Sequence, residues 1–173
     1  MILSKHALRP DGSHGAAKTV QDIVETTSHF VTVLHKSGGI SNDHIIVDPG
    51  LAPIASDTSG LINLCLDSIR ALRAEKKLEG VHISVGLSNF AIGAPKSIHI
   101  PLERAFLCLA MEAGMDFALA NPEKNTVPMS KDEKLVQDLL RILQEGRVQT
   151  GETQEDAGFR QLDELMELWS DNN

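Results

Sequence analysis

Short apolar runs alternate along the chain with longer stretches in which apolar residues recur every three or four positions, and that alternation predicts strands separated by helices. Ile2 and Leu3 open a first strand, over about 2–5, that ends in Ser4, Lys5 and His6. Ala7 to Gly15 is rich in Pro, Gly, Asp and Ser and reads as a loop. Val20, Ile23, Val24, Phe30, Val31 and Leu34 carry helical spacing and predict a helix over 16–35, stopped by Gly38 and Gly39. A second strand spans 44–48, and its continuous apolar run, Ile45 to Val47, fits burial on both faces. Asp57, Thr58 and Ser59 are candidate N-caps for a helix over 60–74 with a basic last turn. A third strand covers 81–87, a proline-bearing loop follows, and a helix over 102–113 ends at Gly114. Phe117 to Ala120 form a fourth strand, closed by Asn121 and Pro122.

Strand and helix in strict alternation is the rhythm of a parallel α/β sheet. After Thr126 the pattern becomes purely helical. Leu135, Val136, Leu139, Leu140, Ile142 and Leu143 line one face of a helix over 131–145, with Ser130 and Glu133 at capping-box spacing. A polar linker over 146–158 leads to a second helix carrying Leu162, Leu165, Met166, Leu168 and Trp169. The expected division is therefore an α/β region over 1–126 and a C-terminal helical segment over 127–173, which either packs back or meets a partner.

The length of 173 residues suits one ordinary domain and falls short of the about 250 residues of a complete eight-stranded barrel. Aromatic residues make up only 3%, with no tyrosine, so aliphatic side chains must fill the core. A net charge of −8 repels phosphate and argues against nucleic acid as a partner. No stretch reaches the roughly 20 apolar residues of a membrane span, and no basic region with a long apolar core begins the chain, so the expected compartment is the cytoplasm. Cys65 and Cys108 fall inside apolar helical patterns, as buried free thiols do. The seven histidines lie in different elements without metal-ligand spacing, so no metal site is expected. GLSNFAIG lacks the lysine of a phosphate-binding P-loop and the spacing of a dinucleotide fingerprint.

The chemistry concentrates where strands end. HIIVDPGLAP and HISVGLSNF each deliver a polar residue, Asp48 and Asn89, at the C-terminal end of a strand beside Pro or Gly turn residues. In a parallel (β/α) barrel those ends open onto the face that carries the active site, so Asp48 and Asn89 would share a pocket. The ordered segments VDPGLAP, GLSNF, RAFLCLAMEAG and MDFALANPEK resemble the second half of the pterin-binding barrel of methyltetrahydrofolate:corrinoid methyltransferases, a family that includes the folate domain of cobalamin-dependent methionine synthase. The resemblance runs from about Met1 to Lys124. It implies a partial TIM-type barrel, strands five to eight, with a helical C-terminal extension, the first four strands being either lost from the gene or encoded elsewhere.

The same resemblance implies the roles. Asp48 would accept the ring N–H and exocyclic amine of a pterin with two charge-assisted hydrogen bonds; otherwise it caps its own turn, a habit of Asp-Pro. Asn89 would donate to N5 of methyltetrahydrofolate as the methyl group leaves, with Ser88 behind it; otherwise it is a turn asparagine. Lys96 would meet the glutamate carboxylates of the folate or remain a solvated lysine, and Asn121 would stand at the rim. The methyl acceptor is the cobalt of a corrinoid held by a separate protein, so this chain needs no metal of its own. Two other readings stand beside the enzyme. One is a non-catalytic half-barrel that assembles with a copy of itself or with a complementary half, because two open strand edges are a liability. The other is dihydropteroate synthase, which shares the DPG but ends the next strand in Ser-Arg-Lys where this chain has Gly86, Leu87, Ser88 and Asn89.

Overall fold

A computed structural model of the chain describes residues 1–9, 11–124 and 126–171. Pro10 of the expected loop and the last two residues of the expected C-terminal segment, Asn172 and Asn173, lie outside that range. The elements in order are β1 (Ile2–Leu3), β2 (His6–Leu8), β3 (His14–Ala16), α1 (Val20–Gly38), β4 (Ile46–Asp48), α2 (Leu61–Ala74), β5 (His82–Gly86), α3 (His99–Ala113), β6 (Phe117–Leu119), α4 (Lys134–Glu145) and α5 (Gln154–Asp171). β1, β4, β5 and β6 form one sheet in that order. β1 runs parallel to β4, pairing Ile2 with Val47, and β4 runs parallel to β5, pairing Ile46 with His82. The α/β class and the order of the four expected strands are as read from the sequence, with each strand shorter by one or two residues.

The chain divides into two compact units. The first comprises 1–50, 64–85 and 113–118, and holds most of the sheet, α1 and most of α2. β1, β4 and β5 are buried on one face: Ile2, Val47, Ile83 and Val85 are buried, whereas Leu3 is exposed and Ile46, Asp48, His82 and Ser84 are partly so; β6 is exposed throughout. Burial of β4 on both faces is therefore corrected. Ile23 and Val31 of α1, with Leu66, Ile69 and Leu72 of α2, complete this core.

The loop expected over Ala7–Gly15 is instead an antiparallel hairpin, β2 on β3, with Ala7 opposite Gly15. Backbone groups hold it in place: the Leu8 N–H donates to Thr26 Oγ1 of α1, and the Ala17 N–H donates to the Lys5 carbonyl. The hairpin displaces the start of α1 from Ala16 to Val20, where Thr19 and Asp22 form a capping box. The C-terminus of α1 lies at Gly38, and Gly39 turns the chain in a left-handed conformation, φ 61°, with its N–H on the Leu34 and His35 carbonyls.

The second unit comprises 51–63, 86–112 and 119–173. Its core contains Phe90 and Phe106, stacked with centroids 4.4 Å apart, and the inward faces of α3, α4 and α5. Of the three candidate caps of α2 the structure uses Asp57, which accepts the N–H groups of Leu61 at 2.8 Å and Ile62 at 2.9 Å. Helix α3 begins at His99 rather than Leu102, following a 3₁₀ turn over Lys96–Ile98. At Ser130 only half of the expected capping box forms. Glu133 accepts the Ser130 N–H, but the serine hydroxyl turns to Asp132, and α4 begins at Lys134 rather than Lys131. The expected linker over 146–158 is shorter, because Thr153 and Asp156 form a capping box that starts α5 at Gln154. Helix α5 packs on α4 and on the Ile54–Ser56 turn. No described helix is long and apolar enough to cross a membrane.

Candidate functional site

Parallel pairing sets the C-terminal ends of neighbouring strands side by side. In the first unit the Ser4 N–H donates to the Asp48 carbonyl at 2.9 Å, so the end of β1 lies against the end of β4. Ser4 is buried, and its hydroxyl meets that of Thr27 at 2.6 Å. Asp48 is partly exposed. Its Oδ1 accepts the Gly50 N–H at 2.8 Å, the turn-capping bond of an Asp-Pro-Gly sequence. Oδ2 makes no hydrogen bond among the described residues and is open to a ligand donor. Lys5 is exposed beside them, its stem lying over Gly50.

In the second unit Leu87, Ser88 and Asn89 form a 3₁₀ turn directly after β5. Leu87 and Phe90 point inward and are inaccessible, which leaves the intervening Ser88 and Asn89 exposed. These two residues, with Gly86, Leu119 and Ala120, line a cavity of about 200 Å³. A Cβ on Gly86 would stand 2.7 Å from Asn89 Nδ2, so the glycine leaves room for the amide to lie back over the strand end. That function of the glycine in GLSN is missed by reading the asparagine alone, although the adjacency is visible in the sequence. The cavity is smaller than the roughly 300–1,000 Å³ of drug-sized ligand sites and takes in part of such a molecule, not all of it.

Ser88 and Asn89 are thus brought together on one wall. Asn121 stands beyond Leu119 and Ala120, exposed, and its Oδ1 accepts the Glu123 N–H at 2.9 Å, leaving its amide N–H groups free of that turn. Lys96 is exposed in the turn before α3 and is not among the cavity residues. The anchor of the post-β6 segment lies deeper: Glu103 of α3, 1% exposed at its side chain, receives the Lys124 ammonium at 2.9 Å. Its other oxygen is buried without a partner among the described residues. Among the described residues no group of three or more His, Cys, Asp or Glu is placed to hold a metal ion.

No protein-family profile matches the chain. The methionine synthase of Mycobacterium tuberculosis (strain ATCC 25618 / H37Rv) is 28% identical to it over 118 residues, which are 68% of this chain and 10% of that protein. The methionine synthase of Mycobacterium leprae (strain TN) is 29% identical over 111 residues, 64% of this chain and 9% of that protein. The chain is similar to methionine synthase. It spans about a tenth of the length of these curated relatives. The likeness agrees, at the level of methionine synthase, with the resemblance carried by the VDPGLAP and GLSNF segments.

Proposed function

We propose that residues 1–126 are strands five to eight of a pterin-binding (β/α) barrel, that 127–173 are a helical extension of it, and that the site serves methyl transfer from N5 of methyltetrahydrofolate to a corrinoid protein in the cytoplasm. One observation carries this reading. The DPG and GLSN segments begin on the last residues of two neighbouring parallel strands, β4 and β5, at the ends where (β/α) barrels do chemistry. Similarity to methionine synthases supports it.

In this reading Asp48 uses Oδ2, with the remaining lone pair of Oδ1, to accept from the pterin ring N–H and amine. The Asn89 amide donates to N5, where charge shifts as the methyl group departs. Ser88 supports the asparagine, Lys96 meets the glutamyl carboxylates, and Asn121 closes the rim. The corrinoid, carried by the partner, supplies the methyl acceptor.

Calorimetry with methyltetrahydrofolate, on the full chain alone and mixed with a half supplying strands one to four, tests the site. Asp48→Ala should weaken binding by roughly 1.5–3 kcal/mol, the scale of hydrogen bonds to charged groups. Asn89→Ala should spare binding and slow transfer, because its bond strengthens in the transition state. Absence of binding at millimolar ligand in the mixture, or indifference to both substitutions, refutes the assignment.

A second reading, a non-catalytic half-barrel that assembles with a copy of itself or a complementary half, is favoured by the sheet's two edges. β1 and β6 are the outer strands and expose Leu3, Phe117 and, at 75%, Leu119. Beside β1 an apolar groove of about 400 Å³ opens among Met1, Leu3, Phe30 and Val33. Sedimentation of a stable monomer that does not respond to the complementary half would exclude it.

A further inference from the structure

Helix α5 has two apolar rows. The first, Ala157, Leu165 and Leu168 with the inaccessible Gln161, is buried within the second unit. The second consists of Phe159, Leu162, Met166 and Trp169, whose spacing of three and four residues aligns them along one side of the helix. This row is uncovered: Phe159 is 53% and Met166 58% exposed, and Leu162 and Trp169 are half-buried. The Trp169 indole nitrogen is buried and has no acceptor among the described residues, so it is the rest of the ring that contributes to the exposed row.

The border of the row is acidic. The helical period sets Asp156, Asp163 and Glu167 along its outer side and Glu155 at its N-terminal end. Arg160 is the helix's only basic residue; it stands within one turn of Asp156 and Asp163, but its guanidinium is committed to Glu145, Glu152 and the Arg147 carbonyl. Glu164 is likewise taken by Arg141. Glu155 and Asp163 have no ion pair among the described residues. A second copy of α5 laid antiparallel on this face would bring like-charged borders together, which is repulsive, whereas a helix with a basic border would neutralise them.

We infer that this face of α5 docks an amphipathic helix of a partner protein, with the partner's apolar side on Phe159, Leu162, Met166 and Trp169 and its lysines or arginines on the acidic border. Specificity resides in the combination, since the row alone would accept any apolar surface.

Trp169 is the only tryptophan of the chain and reports occupancy directly. The full chain is titrated with a synthetic leucine/lysine amphipathic helix of the length of α5, and with a leucine/glutamate peptide of equal length. Saturable binding of the lysine peptide is expected, with a blue shift of the emission and an affinity that falls with salt. Phe159→Ser together with Met166→Ser leaves every charge in place and should lower affinity on the order of tenfold or more, with circular dichroism unchanged. Asp163→Lys, which leaves the apolar row intact, should also weaken binding. Four outcomes overturn the inference: no binding of the lysine peptide, equal binding of the glutamate peptide, undiminished binding by both variants, or dimerisation of the chain that the double substitution abolishes.

Discussion

Nδ1 of His82, at the start of β5, lies 2.6 Å from Oδ2 of Asp116, the residue that precedes β6. The other oxygen of the same carboxylate accepts the Ile83 N–H at 2.6 Å and faces Arg73 Nη2 of α2 at 3.0 Å. Arg73 in turn donates to the carbonyls of Gly114 and Val81, and the His82 ring meets Phe117 edge-on, centroids 4.8 Å apart. One side chain thereby joins two neighbouring strands and the helix beside them.

Burial pushes the Asp116 carboxyl up, but the hydrogen bonds from His82 and the Ile83 N–H, with the charges of Arg73 and His82, outweigh it and hold the group below its ordinary value of 3.8. A depressed carboxyl adds stability that is complete above its unfolded-state pKa and is lost as pH falls through the folded value. Urea denaturation should therefore show a steeper loss of stability for the wild-type chain than for Asp116→Asn below roughly pH 5. At neutral pH, Asp116→Ala should cost about 1 kcal/mol, a modest figure because the carboxylate is partly exposed. Equal acid slopes for wild type and Asp116→Asn would refute the clamp.

Gly158 of α5 has no room for a side chain. A Cβ there would lie 2.3 Å from the Thr58 carbonyl oxygen and 2.4 Å from the Thr58 Cα, backbone atoms that cannot rotate aside. Gly158→Ala gains about 1 kcal/mol of helix propensity but forces the two segments apart, and a net loss of roughly 1–3 kcal/mol is expected. A melting temperature at or above wild type would mean that α5 does not rest on Thr58.

Asp57, 2% exposed, holds the first two N–H groups of α2 with its carboxylate while its carbonyl accepts from Gln161 at 3.2 Å. Asp57→Ala leaves two donors without partners in a dry site and should cost about 2 kcal/mol, at the upper end for a cap. Asp57→Asn, which keeps an acceptor, should recover part of that loss in the same denaturation assay.

Burial pushes the Cys65 thiol far above its usual range and the Asp48 charge adds to this; Cys108 is raised by burial and then by Glu112. Both side chains lie buried inside helices. An aromatic disulfide reagent at mildly alkaline pH should find no fast thiol in the native chain and both in urea, since the thiolate is the reactive form. Prompt labelling of Cys65 would contradict its position in the core.

Order and class were legible because hydrophobic period is a local property: Ile45 to Val47 and Ile83 to Val85 read as strands, and Ile62, Leu66 and Ile69 follow the helical period. The hairpin was not, because β2 and β3 contain almost no apolar alternation and depend on Thr26 and Lys5, partners distant in sequence or outside the pattern. The boxes Thr19–Asp22 and Thr153–Asp156 stood in the sequence; the first lay inside the helix expected over 16–35, and few apolar residues follow the second closely enough to mark a helix start. Of the site, the positions of Asp48 and Asn89 after their strands were readable from turn chemistry, whereas the Gly50 bond to Asp48 and the cavity wall of Leu119 and Ala120 were not.

By itself, then, the sequence determined which segments are strands and helices, their order, the polar residues at the strand ends and the likeness to methionine synthase, since each is written in neighbouring residues. Tertiary structure alone decided that β1, β4 and β5 are buried on one face, that Asp57 rather than Thr58 or Ser59 caps α2, that Asp116 binds His82 and Arg73, and that α5 buries Leu165 while leaving Phe159 and Met166 in solvent. The physical reason is common to all four: burial and pairing depend on which distant surfaces come to rest against one another, and hydrophobic period states only that a face is apolar, not what covers it.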